Sequence, residues 1–248
     1  MLKSIYNKTK QILYKYHCPI CNGNWNEWIE SGFDYPVLNE VEIIGGGRRK
    51  HLCQNCAAPD RLRMIFSYMK SETSILNPIS KISILHVAPE RQLLEILMTK
   101  NKIEYYPCDK FNFNEIVKEA DINDLKFSSN KFDYIICNHV LEHIQTDLKA
   151  MSELYRVLKK NGKAIVQIPY STKIKKSIED ASVNNDESRK EKFGQWDHVR
   201  IYSKKDYIER LNKIGFKVKT INPFQNKFAY SPIKLGLNPK EDLFILEK

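Results

Sequence analysis

The sequence predicts an α/β fold in which a mostly parallel sheet is covered by helices on both faces. From residue 81 onward, short apolar runs alternate with segments of helical period, which is typical of strand–helix–strand units. The length of 248 residues suits one such domain with a small appendage. Hydrophobic residues make up 42% of the chain, so wholesale disorder is excluded. We therefore expect one α/β domain over residues 81–248, preceded by a small module.

Apolar runs and helical periods give the order of elements within this domain. The run ISILHV at 82–87 is apolar enough for a strand that is buried on both faces. Ser203, followed by Asp206 and ending at Gly215, predicts a capped helix. The remaining predictions are strands at 105–108, 120–122, 132–137, 164–168, 216–221 and 243–246, helices at 92–98 and 147–158, and a turn at 159–162.

The region before residue 81 has a different character. Apolar residues recur at helical spacing between 2 and 16, which predicts an N-terminal amphipathic helix over 1–16. Residues 17–71 contain two cysteine pairs, three consecutive glycines and a predicted helix that begins near Asp60. This segment is too small to bury a hydrophobic core of its own. Within the main domain, residues 171–197 are polar and predict an insertion or lid.

The charge pattern leaves two interpretations open. Forty Lys and Arg against thirty Asp and Glu give a net charge of +10 and a pI near 9.2. This balance fits a polyanionic partner, or simply a Lys-rich chain whose lysines are scattered over nearly every segment. The N-terminus lacks the apolar core of a secretory signal, and no apolar stretch approaches the roughly 18 residues of a membrane span. We expect a cytoplasmic protein with reduced cysteines.

The two cysteine pairs predict a metal site. Cys18 and Cys21 form one CxxC turn, Cys53 and Cys56 form another, and 31 residues separate the pairs. Two thiolates three positions apart converge on one ion, and two such turns complete a tetrahedron around Zn²⁺. Such a site is closed to substrate and therefore structural. Four thiolates around one Zn²⁺ would also lower the effective charge of the protein to about +8.

A set of motifs in the rest of the chain resembles one enzyme family. These are LHVAPE at 85–90, DINDLKF at 121–127, NKFDYIICNHVLEHI at 130–144 and ELYRVLKKNG at 153–162. They resemble the S-adenosylmethionine-dependent class I methyltransferases. Together with CPIC, CQNC, RLR and FGQWDHVR at 193–200, they resemble a bacterial branch with an N-terminal four-cysteine module. The resemblance implies a doubly wound, seven-stranded Rossmann-like methyltransferase sheet with a small zinc-ribbon-like module.

The resemblance also implies where S-adenosylmethionine is held. Asp109, which ends the second strand, would accept both ribose hydroxyls, and Asp121 and Ile122 would hold the adenine edge and ring. Asn138 and His139 leave the next strand at its carboxyl end, where open α/β sheets place ligands. The first turn departs from the family because it has no glycine. Its expected cofactor contacts are His86, Ala88 and Glu90.

The acceptor side of the site is predicted to follow the polar insertion. We expect His198 to act as general base for a hydroxyl acceptor, with Asp197 orienting it or pairing with Arg200. His139 and His143 are the other candidates for the base. Substrate contacts are expected from the residues around this segment: His143, Gln195, Trp196 and Arg200.

Three functions are compatible with these observations. The first is methyl transfer to a small-molecule or surface-glycan-precursor acceptor, with O-methylation expected. The second is an RNA methyltransferase whose zinc module grips phosphates, although no basic run interleaved with aromatics appears. The third is a non-catalytic protein with a degenerate cofactor pocket, which the glycine-free turn would explain. The acceptor and the oligomeric state do not follow from the sequence.

Overall fold

The computed structural model describes residues 14–111 and 115–248. Most of the predicted N-terminal helix lies outside these residues, and Tyr16, at its expected end, instead begins a strand. The first part of the described chain is a module of two small hairpins and two helices. Its elements are β1 (Tyr16–Cys18), β2 (Gly23–Trp25), β3 (Ile29–Ser31), α1 (Pro36–Glu40), β4 (Arg49–Leu52) and α2 (Asp60–Glu72).

An α/β domain follows the module. Its elements are β5 (Ile82–Val87), α3 (Arg91–Met98), β6 (Ile103–Asp109), β7 (Lys118–Glu119), β8 (Phe132–Asn138), α4 (Asp147–Val157), β9 (Leu158–Gln167), β10 (Tyr170–Ser171), β11 (Ile178–Glu179), α5 (Asp186–Phe193), β12 (Arg200–Ser203), α6 (Lys204–Ile214), β13 (Lys217–Ile221), α7 (Pro232–Leu235) and β14 (Leu243–Glu247). A short 3₁₀ turn, Leu141–His143, follows β8.

The central sheet has seven strands in the order β13-β14-β9-β8-β5-β6-β7. β14 runs antiparallel to both of its neighbours, and the other pairings are parallel. Buried side chains form one apolar cluster on each face of this sheet. The predicted α/β, seven-stranded, mostly parallel architecture is therefore confirmed.

Local corrections concern two short segments. The strand expected at 120–122 is instead Lys118–Glu119, and Ile122 packs into the core from a loop. The turn expected at 159–162 lies within β9. Asn161 in that segment adopts φ 62°, and β9 advances five residues from Leu158 to Lys163 while β8 advances two, so the predicted turn is an irregular excursion within the strand.

The segment predicted to be an insertion or lid, residues 171–197, contains β11 and α5 and is called the lid below. β10, β12 and β11 make a separate three-stranded sheet, and α5 lies between β11 and β12. β12 is held to the 3₁₀ turn, since the Val199 N–H donates to the Glu142 carbonyl at 3.0 Å. At the end of α5, Gly194 lies against Leu38 of α1. The lid therefore contacts the N-terminal module as well as the sheet.

The N-terminal module is bound to the α/β domain by buried contacts. Arg63 of α2 is fully buried and donates hydrogen bonds to the carbonyls of His51, Ala58 and Leu235. Its guanidinium stacks on the ring of Trp28, 3.8 Å from the ring centroid. Three separate parts of the chain thus meet at one side chain.

Within residues 14–111 and 115–248, every helix is too short or too polar to cross a bilayer.

Candidate active site

The sheet topology places a crevice at the carboxyl ends of β5 and β8. The chain leaves β5 toward one edge of the sheet and returns at β8 to build the other half. Ligands of open α/β sheets bind at such a switch point. Ala88 to Glu90 follow β5 and Asn138 ends β8, so these predicted cofactor residues meet at the crevice.

Two residues at this switch point have a left-handed backbone. Ala88, directly after β5, adopts φ 48°, and His139, directly after β8, adopts φ 53°. Non-glycine residues rarely adopt this conformation, and such strain concentrates at functional sites. The first turn lacks glycine in sequence, yet Ala88 supplies the backbone geometry that glycine normally provides.

A buried hydrogen-bond network lies behind the crevice. The His86 ring is fully buried, with Nδ1 2.7 Å from the Tyr105 hydroxyl and Nε2 3.2 Å from the Glu90 carboxylate. Glu90 also accepts a hydrogen bond from the Asn138 amide at 3.3 Å. Burial raises the pKa of Glu90, but His86 outweighs this and the net pKa is lowered. His86 therefore positions the ionised Glu90 rather than reaching into the crevice itself.

Unpartnered polar atoms point to a ligand at the same place. The Oδ1 atom of Asn138 is buried and has no hydrogen-bond partner among residues 14–111 and 115–248. Buried acceptors are nearly always satisfied in folded proteins. The Nε of Arg61 is likewise buried without a partner in the described chain, and its charge acts on Glu90 and His139. Arg61 was not predicted, although the RLR motif after the second cysteine pair contains it.

The adenosine-binding residues implied by the resemblance lie along the adjoining sheet edge. Asp109 ends β6, and its carbonyl accepts a hydrogen bond from the Ala120 N–H at 2.8 Å, which places the two following segments side by side. Asp121 is exposed and Ile122 is buried. The Asp121 carboxylate caps the N–H of Asn123 at 2.8 Å. Their roles toward a cofactor stay predictions.

A cavity of about 550 Å³ is lined by loops of the module and by the lid. One wall comes from the module: residues 31–33, the glycine segment 45–47, and Arg61. The opposite wall contains predicted site residues from the strand end and the lid, namely His139, His143, Gln195 and Asp197. The sequence predicts a structural role for the four-cysteine site, and loops of the module that contains it line the candidate acceptor site.

The predicted dyad is arranged differently from the expectation. The Asp197 carboxylate lies 3.2 Å from His143 Nδ1 and accepts from the Gln195 amide at 2.8 Å. The His198 ring meets His143 edge to face, with centroids 4.7 Å apart. Asp197 therefore pairs with His143, whereas the sequence paired it with His198 or Arg200.

The electrostatics of these three side chains follow from burial and from the Asp197–His143 pair. Burial, together with the charge of His143, lowers the pKa of His198 to about 3. Although burial opposes it, the Asp197 carboxylate raises the pKa of His143 above its ordinary value. Hydrogen bonds from His143 and Gln195 outweigh burial and lower the pKa of Asp197 to about 2. At neutral pH, His198 is thus uncharged and Asp197 is ionised.

Two further predicted substrate residues occupy opposite environments. Arg200 is 4% exposed, donates to the carbonyls of Leu141 and Gln145, and pairs with Glu179. These contacts hold β12 on the 3₁₀ turn, so its donors serve the fold. Trp196 is 48% exposed on the lid, and its proposed contact with substrate stays a prediction.

The four predicted zinc ligands come together. The Sγ atoms of Cys18 and Cys56 are 3.7 Å apart, those of Cys21 and Cys53 are 3.6 Å apart, and all four lie within 4.8 Å of one another. A tetrahedron with Zn–S bonds of about 2.3 Å has edges of about 3.8 Å, so the donor set and spacing fit zinc. The two turns also repeat one geometry, since Asn22 and Ala57 follow them with φ 58° and 57°.

Parts of the chain are similar in sequence to known proteins. Residues 85–166 match the family model described as a methyltransferase domain. Two uncharacterized proteins of Methanocaldococcus jannaschii are each 33% identical over 130 and 94 residues, which is 52% and 38% of this chain. The matched regions cover 48% and 42% of those proteins, so this chain spans about half or less of their length.

A solved structure of similar shape is a SAM-dependent methyltransferase from Archaeoglobus fulgidus. It is 17% identical, the similarity covers 76% of this chain and 91% of that one, and the TM-score is 0.49. The family match, by contrast, spans the strands on both sides of the switch point, β5 through β9. Over residues 85–166 the chain is therefore similar to a methyltransferase domain, in agreement with the resemblance found in the sequence.

Proposed function

We propose that this protein transfers a methyl group from S-adenosylmethionine to a hydroxyl of a small-molecule or surface-glycan-precursor acceptor. The observation that carries the proposal is the methyltransferase-domain match over a switch point whose buried polar atoms lack partners in the described chain. A buried polar atom without a hydrogen-bond partner destabilises a protein that binds no ligand. A protein that had lost its cofactor would therefore gain stability by losing such atoms. This favours an enzyme over the non-catalytic alternative.

The residues around the crevice fit the cofactor by donor and acceptor type. The Asn138 carbonyl oxygen would accept from the methionyl ammonium, and the Arg61 guanidinium would donate to the methionyl carboxylate. Asp109 would accept from the ribose hydroxyls, and Asp121 and Ile122 would hold the adenine. When bound, S-adenosylmethionine supplies an electrophilic methyl group on a sulfonium, so the protein contributes mainly position and exclusion of water.

The acceptor site would be the cavity between the module and the lid. A volume of about 550 Å³ lies within the ordinary range for small-molecule sites, which runs from about 300 to 1,000 Å³. Loops 31–33 and 45–47 of the module and the lid residues Gln195 and Asp197 line this volume, which suits a small acceptor. The choice of oxygen as the methylated atom rests on the imidazoles in its wall.

Deprotonation of a hydroxyl acceptor would be assisted by that imidazole wall. An imidazole accepts a proton only when it is neutral; His198, in ring contact with His143, is neutral at physiological pH, but its pKa of about 3 makes it a weak base. His143, oriented by Asp197, is the second group able to accept the proton. General-base assistance contributes about 10²–10⁴ in rate.

The cysteine cluster is proposed to hold a structural zinc ion. Four thiolates would close its coordination sphere, so the ion would stabilise the module without touching the acceptor. Metal analysis of the purified protein should find about one zinc in this cluster, and Cys18→Ser should lose it and destabilise the fold. Normal folding of Cys18→Ser would contradict this role.

Calorimetric titration with S-adenosylmethionine tests the cofactor site. The wild type is expected to bind, Asn138→Ala and Asp109→Asn are expected to bind at least about tenfold more weakly, and Glu187→Gln, on the exposed face of α5, should bind like the wild type. Absence of binding by the wild type would refute the enzyme.

Radiolabelled methyl transfer into separated small molecules, glycans, RNA and protein identifies the acceptor class. Label in the small-molecule or glycan fraction is the expected result. Label confined to RNA would replace the proposed acceptor with the RNA alternative.

A further inference from the structure

Glu142 is a buried carboxylate that the methyl-transfer proposal does not use. It lies in the 3₁₀ turn after β8 and is 1% exposed. Neither of its carboxylate oxygens has a hydrogen-bond partner within the part of the chain that the structure describes. An isolated carboxylate without donors is unfavourable in a protein interior, so such a group is either protonated or paired with a cation.

Two imidazoles, in addition to that of His139, lie within reach of the same carboxylate. One ligand-capable atom each of Glu142, His143 and His198 lies within 4.8 Å of the other two. The His143 Nδ1 atom is engaged by Asp197, which leaves Nε2 as the atom available to an ion. His198 is held beside it by the edge-to-face ring contact. The cluster is separate from the four cysteines and has a different donor set.

We propose that Glu142, His143 and His198 bind a divalent first-row transition-metal ion beside the cavity that His143 lines. Two imidazole nitrogens and one carboxylate suit ions such as Zn²⁺ or Fe²⁺ rather than Mg²⁺, which prefers oxygen. With metal–ligand bonds of about 2.1 Å, the ligand atoms of a tetrahedral site lie about 3.4 Å apart, so small side-chain rotations close the cluster. Asp197 would orient His143 from behind, as carboxylates commonly do for metal-bound histidines.

The chemistry of such an ion bears on the acceptor. Three protein ligands leave at least one coordination position open, in contrast to the closed cysteine site. An acceptor hydroxyl bound there would have its pKa lowered by the positive charge. This consequence rests on the proposed function, and it makes His198 a metal ligand rather than the general base. Metal binding itself is independent of methyl transfer and is tested separately.

A different arrangement would satisfy Glu142 without metal. His139 Nδ1 lies 3.4 Å from Glu142 Oε1, and burial raises the pKa of Glu142 to about 7. A protonated Glu142 facing a neutral His139 would then need no ion. This arrangement and the metal site differ in one measurable quantity, the number of metal ions bound per chain.

The experiment loads metal-free protein with Co²⁺ and counts ions by native mass spectrometry and absorption spectroscopy. The wild type is expected to bind one ion more than Glu142→Gln or His198→Ala. Both variants should keep the intense thiolate-to-cobalt absorption of the cysteine site. Asp197→Asn is expected to weaken the second ion about 10–100-fold without removing a ligand.

Controls separate loss of the metal from loss of the fold and of the cofactor site. Glu187→Gln, an exposed carboxylate on α5, should bind the same number of ions as the wild type. Circular dichroism and S-adenosylmethionine affinity should be unchanged in Glu142→Gln, so failure of this proposal is distinguishable from failure of the proposed function. Equal ion counts in the wild type, Glu142→Gln and His198→Ala would overturn the metal site.

Discussion

Single residues at the switch point hold the backbone in conformations that their side chains disfavour. Ala88 and His139 both have positive φ, and they directly follow the two strands between which the sheet order reverses. The cost of each is of order 1–3 kcal/mol and must be offset by the surrounding packing. Glycine at position 88 would relieve this strain, but it would raise the conformational entropy of the unfolded chain. Alanine restricts the unfolded chain more and is the smallest side chain that does so.

Substitution of Ala88 tests the importance of this geometry. Ala88→Gly should fold with a free energy of unfolding within about 1 kcal/mol of the wild type, because relief of strain opposes the added chain entropy. Ala88→Val should be destabilised by at least about 1–2 kcal/mol, since β-branched residues are poorly tolerated at φ 48°. Urea unfolding measures both, and a valine variant as stable as the wild type would contradict the interpretation.

Glu241, just before β14, gives a pH dependence with a defined sign. It is 2% exposed, and burial, assisted by the charge of Asp60, raises its pKa from 4.5 to about 7. The folded state therefore binds more protons than the unfolded state between these values, so the contribution of this group to stability falls as pH rises from about 4.5 to 7. Glu241→Gln should gain roughly 2–3 kcal/mol relative to the wild type between pH 5 and pH 7.5. Urea unfolding of both proteins at the two pH values measures this, and a pH-independent difference would contradict it.

Among the elements, the contact of α5 with α1 determines where the lid lies. Gly194 ends α5 with φ 78°, and a Cβ there would lie 2.3 Å from Leu38 Cδ2. Only glycine satisfies both the left-handed backbone and the close approach. The segment that follows carries Gln195 and Asp197, so this contact positions the lid side of the cavity.

Gly194→Ala should therefore displace the lid. We expect a loss of about 1–3 kcal/mol in the free energy of unfolding and a larger loss of methyl transfer than of S-adenosylmethionine affinity, because the crevice lies elsewhere. The double variant with Leu38→Ala removes the clash but not the backbone strain, and it should recover part of the loss. Equal losses of transfer and cofactor affinity would argue against this division of roles.

Over the whole molecule, the module and the α/β domain are joined by the buried side chain of Arg63. Its three carbonyl partners are His51 in β4, Ala58 just before α2, and Leu235 at the end of α7. The ring of Trp28 covers its guanidinium. Since loops of the module line the cavity, this junction determines whether the two walls of the site face each other.

Arg63→Lys tests this junction with charge retained. Lysine cannot reproduce the planar fork, so buried carbonyls lose their donors, and we expect a loss of about 3 kcal/mol or more. Tryptophan fluorescence and circular dichroism should then report separate unfolding transitions. Arg91→Lys, at a 72% exposed arginine, should change stability by less than about 0.5 kcal/mol. Coincident, unshifted transitions in Arg63→Lys would contradict the role of the junction.

The sequence by itself determined the α/β class, the capped helix from Ser203 to Gly215 and the two CxxC turns, because each depends on neighbours along the chain. Ser203 accepts the Asp206 N–H and Gly215 takes φ 118°, as the local pattern requires. The placement of Asn138 and His139 at a strand end is local in the same sense.

Only the tertiary structure decided which side chains meet. Asp197 is adjacent to His198 in sequence, but the fold brings His143 from 54 residues away to its carboxylate. Arg61 reaches the site because α2 packs on the sheet. Arg200 does not, because its guanidinium donates to the carbonyl of Leu141 in the 3₁₀ turn. The physical reason is that hydrogen bonds and ion pairs form between groups that packing brings within about 3 Å, whereas sequence patterns specify only the local chain geometry.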